Sequence, residues 1–214
     1  MRWSTVVVGS EAVLFEALVA AADADNFAGS DVVLVPTAAA FTGATEASLR
    51  VAAVLEPFGA RVEALMVIDR DSANEAYFAT RIEQADLVVL LDGSALHARS
   101  VWRASAFGEA LARAGTLVAV GAVATVIGEE MIDPRGGAPT TGLAIRRGAV
   151  LTTPASAEQL ERTRGLIDAS ELLVVLEPNG AVVEANGQWV QLLDHGVTAS
   201  RAVVQVTLAR PSSQ

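Results

Sequence analysis

Short apolar runs alternate along this chain with longer stretches whose apolar positions recur at helical spacing. The runs at residues 5–8, 31–35, 62–68, 86–91 and 117–120 read as strands, and those at 86–91 and 117–120 are nearly unbroken, the mark of central strands buried on both faces. After the first strand, Gly9-Ser10 opens a helix with Leu14, Phe15, Leu18, Val19 and Ala22 on one face. Residues 46–55 read as a second helix, ended by Pro57 and Gly59. Ser72 stands three residues before Glu75, the spacing of a capping box, at the head of a helix reaching to about Gln84. Ser105 caps another helix over residues 106–114, closed by Gly115. Such alternation predicts an α/β protein of three layers, with a mostly parallel, flavodoxin-like sheet covered by helices on both faces.

The last third of the chain changes character. Residues 134–137 read as a loop, 143–145 and 149–152 as short strands, and 157–166 as a helix. Apolar runs then follow at 172–176, 181–184 and 188–193, separated by Asn179-Gly180 and Asn186-Gly187. Asn-Gly between apolar runs is a strong hairpin signal. Residues 169–209 are therefore expected to form a C-terminal antiparallel hairpin annex on the sheet edge, with 1–168 as the core and 210–214 as a frayed tail. The length of 214 residues suits a single domain spanning 1–214.

Composition narrows the function classes. With 52% apolar and 19% charged residues the chain can bury a large core and does not have the composition of a disordered protein. No apolar run approaches the roughly 18 residues of a membrane span. Met1-Arg2-Trp3-Ser4 leads into the first strand without the apolar region of a signal peptide, so a cytoplasmic protein with no membrane partner is expected. The absence of cysteine excludes disulfides, thiolate metal sites and a cysteine nucleophile. His97 and His195 are the only histidines, so neither a multi-histidine metal site nor any other cofactor is expected. All 15 basic residues are arginine, which excludes a Schiff-base or phosphate-loop lysine. A net charge of −10 repels phosphate backbones, and nucleic acid is not an expected partner.

In open α/β sheets ligands bind beyond the carboxyl ends of the strands. Three loops fall there: Pro36-Thr37-Ala38, Asp92-Gly93-Ser94 and Gly121-Ala122-Val123-Ala124. The last has the pattern of a nucleophile elbow, a strand turning sharply through small residues into a helix whose free N–H groups could face an oxyanion. The hydroxyl of such an elbow is missing, and a tight strand–helix turn without a catalytic task accounts for the same pattern.

The segment from Val120 to Ala138, with its Asp133-Pro134-Arg135-Gly136-Gly137-Ala138 stretch, resembles the dipeptidase E and cyanophycinase family, serine hydrolases on a fold similar to class I glutamine amidotransferases. Upstream, Asp92 to Val101 resembles that family's Gly-Gly-x-Pro-x-His-Leu-Arg-Ser-Val turn, and Val33 to Ala38 resembles its first sheet-edge loop. Glu177 stands where relatives often carry an acidic residue, so the resemblance runs from about Val6 to Glu177. It implies a serine at the elbow, a histidine after the strand at 149–152 and an oxyanion hole at the Gly-Gly turn. Here the sequence departs. Gly121 stands at the serine position, Val123 replaces the elbow glycine, Asp92 replaces the first glycine of the turn, and Thr153-Pro154-Ala155 contains no histidine.

Substitutes are few. Thr125 lies one turn into the elbow helix, where its hydroxyl should meet neighbouring turns. Ser94 could face the cleft, with His97 three residues on as a base, although His97 also matches the family's ordinary turn histidine. Asp133 and Arg135 are expected to pair with each other or fix the loop, Arg135 being the natural partner of any anion in the cleft. His195 is expected in a loop of the annex, and Asp23, Asp25, Glu129 and Glu130 at the surface. The candidate cleft is thus Thr37, Asp92, Gly93, Ser94, Gly121, Ala122 and Arg135. The leading expectation is a catalytically degenerate homologue that binds a small molecule or a protein partner. The alternatives are a working hydrolase of peptide or isopeptide bonds using other residues, and a structural subunit of a homo-oligomer.

Overall fold

Val6, Val8, Val32, Leu34, Val89, Leu91, Val118 and Val120 pack on one side of a central sheet, and Val7, Val33, Val35, Val88, Leu90, Leu117 and Ala119 on the other. This alternation is the two-residue period of a strand, with both faces apolar because both are covered. A computed structural model describes residues 3–21, 27–193, 195–200 and 204–205, with the backbone alone at Trp3, Val204 and Gln205. Strands β1 (Trp3–Val8), β2 (Asp31–Val35), β3 (Arg61–Ala64), β4 (Leu87–Leu90) and β5 (Leu117–Val120) run parallel in the order β1-β5-β4-β2-β3. The two unbroken apolar runs are neighbours, Val88 facing Leu117 and Leu90 facing Ala119.

Helices α1 (Leu14–Ala21) and α2 (Ala44–Leu55) cover one face through Leu14, Leu18, Val51 and Leu55. Helices α3 (Ala76–Gln84), α4 (Ala95–Trp102) and α5 (Ala106–Arg113) cover the other through Ile82, Val101, Trp102, Phe107 and Leu111. The α/β, three-layer, mostly parallel architecture is therefore as expected. Ser105 caps α5 as read from the sequence, accepting from the Gly108 N–H at 3.1 Å. Helix α4 is an addition: Ser94 caps it, accepting from the His97 N–H at 3.3 Å.

Beyond β5 the chain forms a hairpin of β6 (Glu130–Ile132) and β7 (Pro139–Thr141), then β8 (Val150–Thr152), α6 (Ala157–Leu166) and β9 (Leu173–Leu176). Strand β10 (Ala181–Ala185) joins the main sheet antiparallel to β1, followed by β11 (Gln188–Gln191) and β13 (Val204–Gln205), giving 8 strands in all. Strand β12 (Val197–Ala199) pairs with β9, which lies parallel to β8, in a separate 3-stranded sheet.

Four details of the sequence reading change. Asn186-Gly187 makes a hairpin, with both residues at positive φ, but Asn179-Gly180 links strands of different sheets. An Asn-Gly pair encodes a turn and says nothing about which sheet receives the next strand. The C-terminal antiparallel strands thus divide between the main sheet edge and a second sheet. Residues 143–145 are not a strand, since Ala144 sits at φ 52° and breaks the extended backbone. The Ser72 capping box does not form either. Ser72 belongs to a one-turn 3-10 segment and donates to Asp69, while α3 begins after Glu75 without a side-chain cap. Asp23, Asp25 and the tail at 210–214 lie outside the described residues. Among the described residues no helix is long and apolar enough to cross a membrane.

Candidate functional site

The floor of the site is the carboxyl end of β4 beside that of β5. Both strands stop there because their continuous apolar runs end, one at Asp92-Gly93 and the other at Gly121. Gly121 has φ 63°, a left-handed conformation that a glycine adopts at little cost. The chain then enters a 3-10 helix, Gly121–Val126, so the elbow turn is present but leads into a short tight helix rather than an α-helix.

Asp92 occupies the space that an elbow side chain would need. A Cβ built on Gly121 would stand 2.2 Å from the Asp92 Cγ, 2.3 Å from Oδ1 and 2.5 Å from Oδ2. The carboxylate is held there by backbone N–H groups on both loops. Oδ1 accepts from Gly93 at 2.7 Å and from Ala122 at 2.8 Å. Two backbone donors converging on one oxygen form the arrangement that stabilises an oxyanion in acyl transfer. In this chain they converge on the protein's own carboxylate.

The other sequence candidates separate. Thr37 does not face a cleft: it is fully buried, its hydroxyl donating to the Val67 carbonyl and accepting from the Trp102 indole N–H at 3.0 Å. Buried polar groups pair with whatever lies in reach, and the Trp102 indole reached it first. Ser94 is exposed, but its Oγ is committed to the α4 cap. The His97 Nε2 bonds the Ile68 carbonyl at 2.8 Å and its ring packs 4.6 Å from that of Phe41. Among the described residues no hydrogen bond joins the Ser94 hydroxyl to the His97 ring. Thr125 is buried and accepts from the Ile132 N–H at 3.0 Å, so its hydroxyl meets strand β6 and not the neighbouring helix turns expected for it.

Asp133 and Arg135 pair in two-point fashion, Nε to Oδ1 at 3.1 Å and Nη2 to Oδ2 at 2.9 Å. The guanidinium holds the Asp133 carboxyl below the usual carboxylate range. Arg135 does not line the cleft described next; it points outward, with 75% of its side chain exposed. Thr153 is half-buried just past β8, a strand that packs against the elbow turn, so the position implied for a base is near the elbow but holds no titratable group. Glu177 is exposed beyond β9, its backbone lying directly against Gly9. His195 is exposed between β11 and β12.

A cleft of about 400 Å³ opens beside Asp92 and Gly93. Its other walls include Ser10, Glu11, Ala12, Ala47 and Arg50, from the end of β1 and from α2. Arg50 is fixed to Glu11, Nε to Oε2 at 3.0 Å and Nη2 to Oε1 at 3.2 Å, and this pairing raises the arginine pKa. The sequence reading missed Glu11 and Arg50. Glu11 follows the first strand and was accessible to the same strand-end rule that singled out Asp92. Arg50 lies within a helix and carries no local signal. Among the described residues no group of three or more His, Cys, Asp or Glu is placed to hold a metal ion.

No family model and no curated protein matches the chain. Solved structures do. A peptidase from an acI-B1 Actinobacterium superposes with a TM-score of 0.71 at 16% identity, covering 93% of this chain and 94% of that one. A candidate peptidase E from Listeria monocytogenes EGD-e superposes with a TM-score of 0.68 at 13% identity, covering 89% of this chain and 98% of that one. At such identities the likeness is one of fold: this protein has the α/β fold of those two structures.

Proposed function

We propose that this protein is a catalytically degenerate homologue of the serine-type dipeptidase E and cyanophycinase hydrolases, retaining the scaffold and a cleft for a small molecule or protein partner. The observation that carries the reading is the Asp92 carboxylate, which overlaps the place of an elbow side chain and occupies the N–H groups of Gly93 and Ala122. A nucleophile, a general base and an empty oxyanion hole act as a unit in serine hydrolysis. Gly121 supplies no hydroxyl, Thr153 no base, and Asp92 places negative charge where negative charge must develop. The geometry of Ser94 and His97 supports the same reading, because both polar groups are engaged elsewhere.

The direct test is reaction with a fluorophosphonate probe together with assays on aspartyl dipeptides and cyanophycin. No labelling and no hydrolysis are expected. Stoichiometric labelling of any serine would overturn the proposal, with Ser94 the first residue to examine. The converse test is restoration. Gly121→Ser alone should stay inactive, whereas Gly121→Ser combined with Asp92→Gly and Thr153→His frees the donors and supplies a base, whose help is typically worth about 10²–10⁴-fold. Turnover in the single variant would reveal a base elsewhere in the site.

A further inference from the structure

The cleft beside Asp92 has an unusual inventory once its internal bonds are assigned. The Ser10 hydroxyl donates to the Pro178 carbonyl and its oxygen accepts from the Ala12 N–H. The Thr42 hydroxyl turns back to the Ala39 carbonyl. Glu11 and Arg50 neutralise each other through two hydrogen bonds. Asp92 is different: Oδ1 takes both backbone donors, and Oδ2 has no hydrogen-bond partner among the described residues. No buried side-chain oxygen or nitrogen among them lacks a partner, so Oδ2 is open to solvent.

Arg50 Nη1 is unbonded as well, but its charge is balanced by Glu11; Asp92 is the carboxylate of the cleft that has no cation against it among the described residues, and it is fixed in place by the two bonds to Oδ1. Its complement is a charged donor. Ala12, Ala39 and Ala47 give the same cleft of about 400 Å³ apolar wall, and the net charge of −10 attracts cations and repels anions over the whole surface. We infer that the cleft binds a small primary ammonium compound with a short alkyl chain, its –NH₃⁺ donating to Asp92 Oδ2. This rests on the proposal that the elbow no longer performs serine hydrolysis, since it assigns the Asp92 carboxylate to a ligand instead of to an obstructed oxyanion hole. In that role Asp92 is an anchor, and the Gly93 and Ala122 N–H groups position it.

The experiment is a titration of the full chain with n-butylammonium chloride at constant ionic strength, followed by ¹H–¹⁵N NMR, with n-butanol and sodium acetate as parallel probes. Saturable shifts of the Gly93 and Ala122 amides are expected with n-butylammonium. Asp92→Asn keeps an oxygen for those two donors but removes the charge, and it should weaken binding by about tenfold or more, as for loss of a charged hydrogen-bond partner. Ala12→Leu, at an exposed wall position, should also weaken it and covers the case in which Asp92→Asn does not fold. Absence of saturable shifts, binding of acetate or n-butanol as strong as that of the amine, or an affinity unchanged in both variants would overturn the inference. Fluorophosphonate labelling is measured separately, so failure of the amine site and failure of the degenerate reading are distinguishable.

Discussion

Two neighbouring stretches of this chain carry the family resemblance in opposite ways. The Asp133–Ala138 loop carries the most specific part of the resemblance read from the sequence, and its residues are occupied with holding structure. Asp133 bonds its own loop and Arg135, and α6 ties the loop down through Gln159 to the Pro134 carbonyl at 3.0 Å and Thr163 to the Gly137 carbonyl at 2.7 Å. The elbow matches poorly in sequence, yet its backbone makes the turn at φ 63° after a buried parallel strand, with two N–H groups converging on one oxygen. On the reading proposed above, the motif serves as scaffolding, and the elbow keeps its backbone without catalytic side chains. Asp92 and Gly121 fit each other where they meet: the carboxylate stands where any larger residue at 121 would have to be.

The strongest test of that fit is Gly121→Ser. The new Cβ would lie 2.2 Å from the Asp92 Cγ, and the residue would sit in the left-handed region. Both costs are of known size, about 1–2 kcal/mol for a side chain at positive φ and about 1–3 kcal/mol for overpacking, so destabilisation of about 2–5 kcal/mol is expected. Urea unfolding of Gly121→Ser, Asp92→Gly and the double variant measures their coupling. The double variant should be more stable than the sum of the single effects predicts. Additive effects would mean that Asp92 moves aside freely and does not fill the elbow.

Next in size is Thr37→Val, which asks whether a residue expected in the cleft is instead part of the core. The change strands the buried Trp102 indole N–H and removes the donor to the Val67 carbonyl. A loss of about 1–3 kcal/mol in urea unfolding is expected, the usual consequence of an unpaired buried donor. A stability equal to wild type would return Thr37 to the cleft. On the loop side of the comparison, Thr163→Val removes one bond to the Gly137 carbonyl and should cost about 1 kcal/mol by the same measurement.

These outcomes trace what the sequence made legible. Strands β4 and β5 could be read because Leu87–Leu90 and Leu117–Val120 are apolar on both faces, which only a central strand requires. Helix α6 was read at its full extent, where Ser156 caps by accepting from the Gln159 N–H. The sharp turn at Gly121 was legible as an elbow pattern, and the residue makes it at φ 63°. Ser72 misled because its hydroxyl found Asp69 three residues earlier, a competing local bond that spacing alone does not weigh. The key contact of the site was beyond local reading altogether. Asp92 could be seen to replace a glycine, but its seat over Gly121, 29 residues away in number, depends on β4 and β5 being neighbours in register. Arg50 and Glu11 likewise meet only because α2 and the 3-10 turn that leads into α1 lie at the same face of the sheet.

The smallest expected effect concerns pH and belongs to the loop. Arg135 is largely exposed and Asp133 is partly so, which makes their pair a weak one in water and sensitive to salt. Its sign is nonetheless fixed. The hydrogen bonds from the Arg135 side chain, and then from its backbone N–H, depress the Asp133 pKa in the folded state. The stability gained is therefore fully present above the unfolded carboxyl pKa of about 3.9 and is lost as pH falls through the lower folded value. Arg135→Gln removes the side-chain contribution and leaves the backbone donor in place. The difference in urea midpoint between wild type and Arg135→Gln should hold steady between about pH 7 and about pH 5, then shrink on further acidification as Asp133 takes up its proton. High salt at neutral pH should shrink it as well. A difference that instead grew on acidification would mean that Arg135 acts through some group other than Asp133, and the loop would lose its claim to be a self-contained structural element.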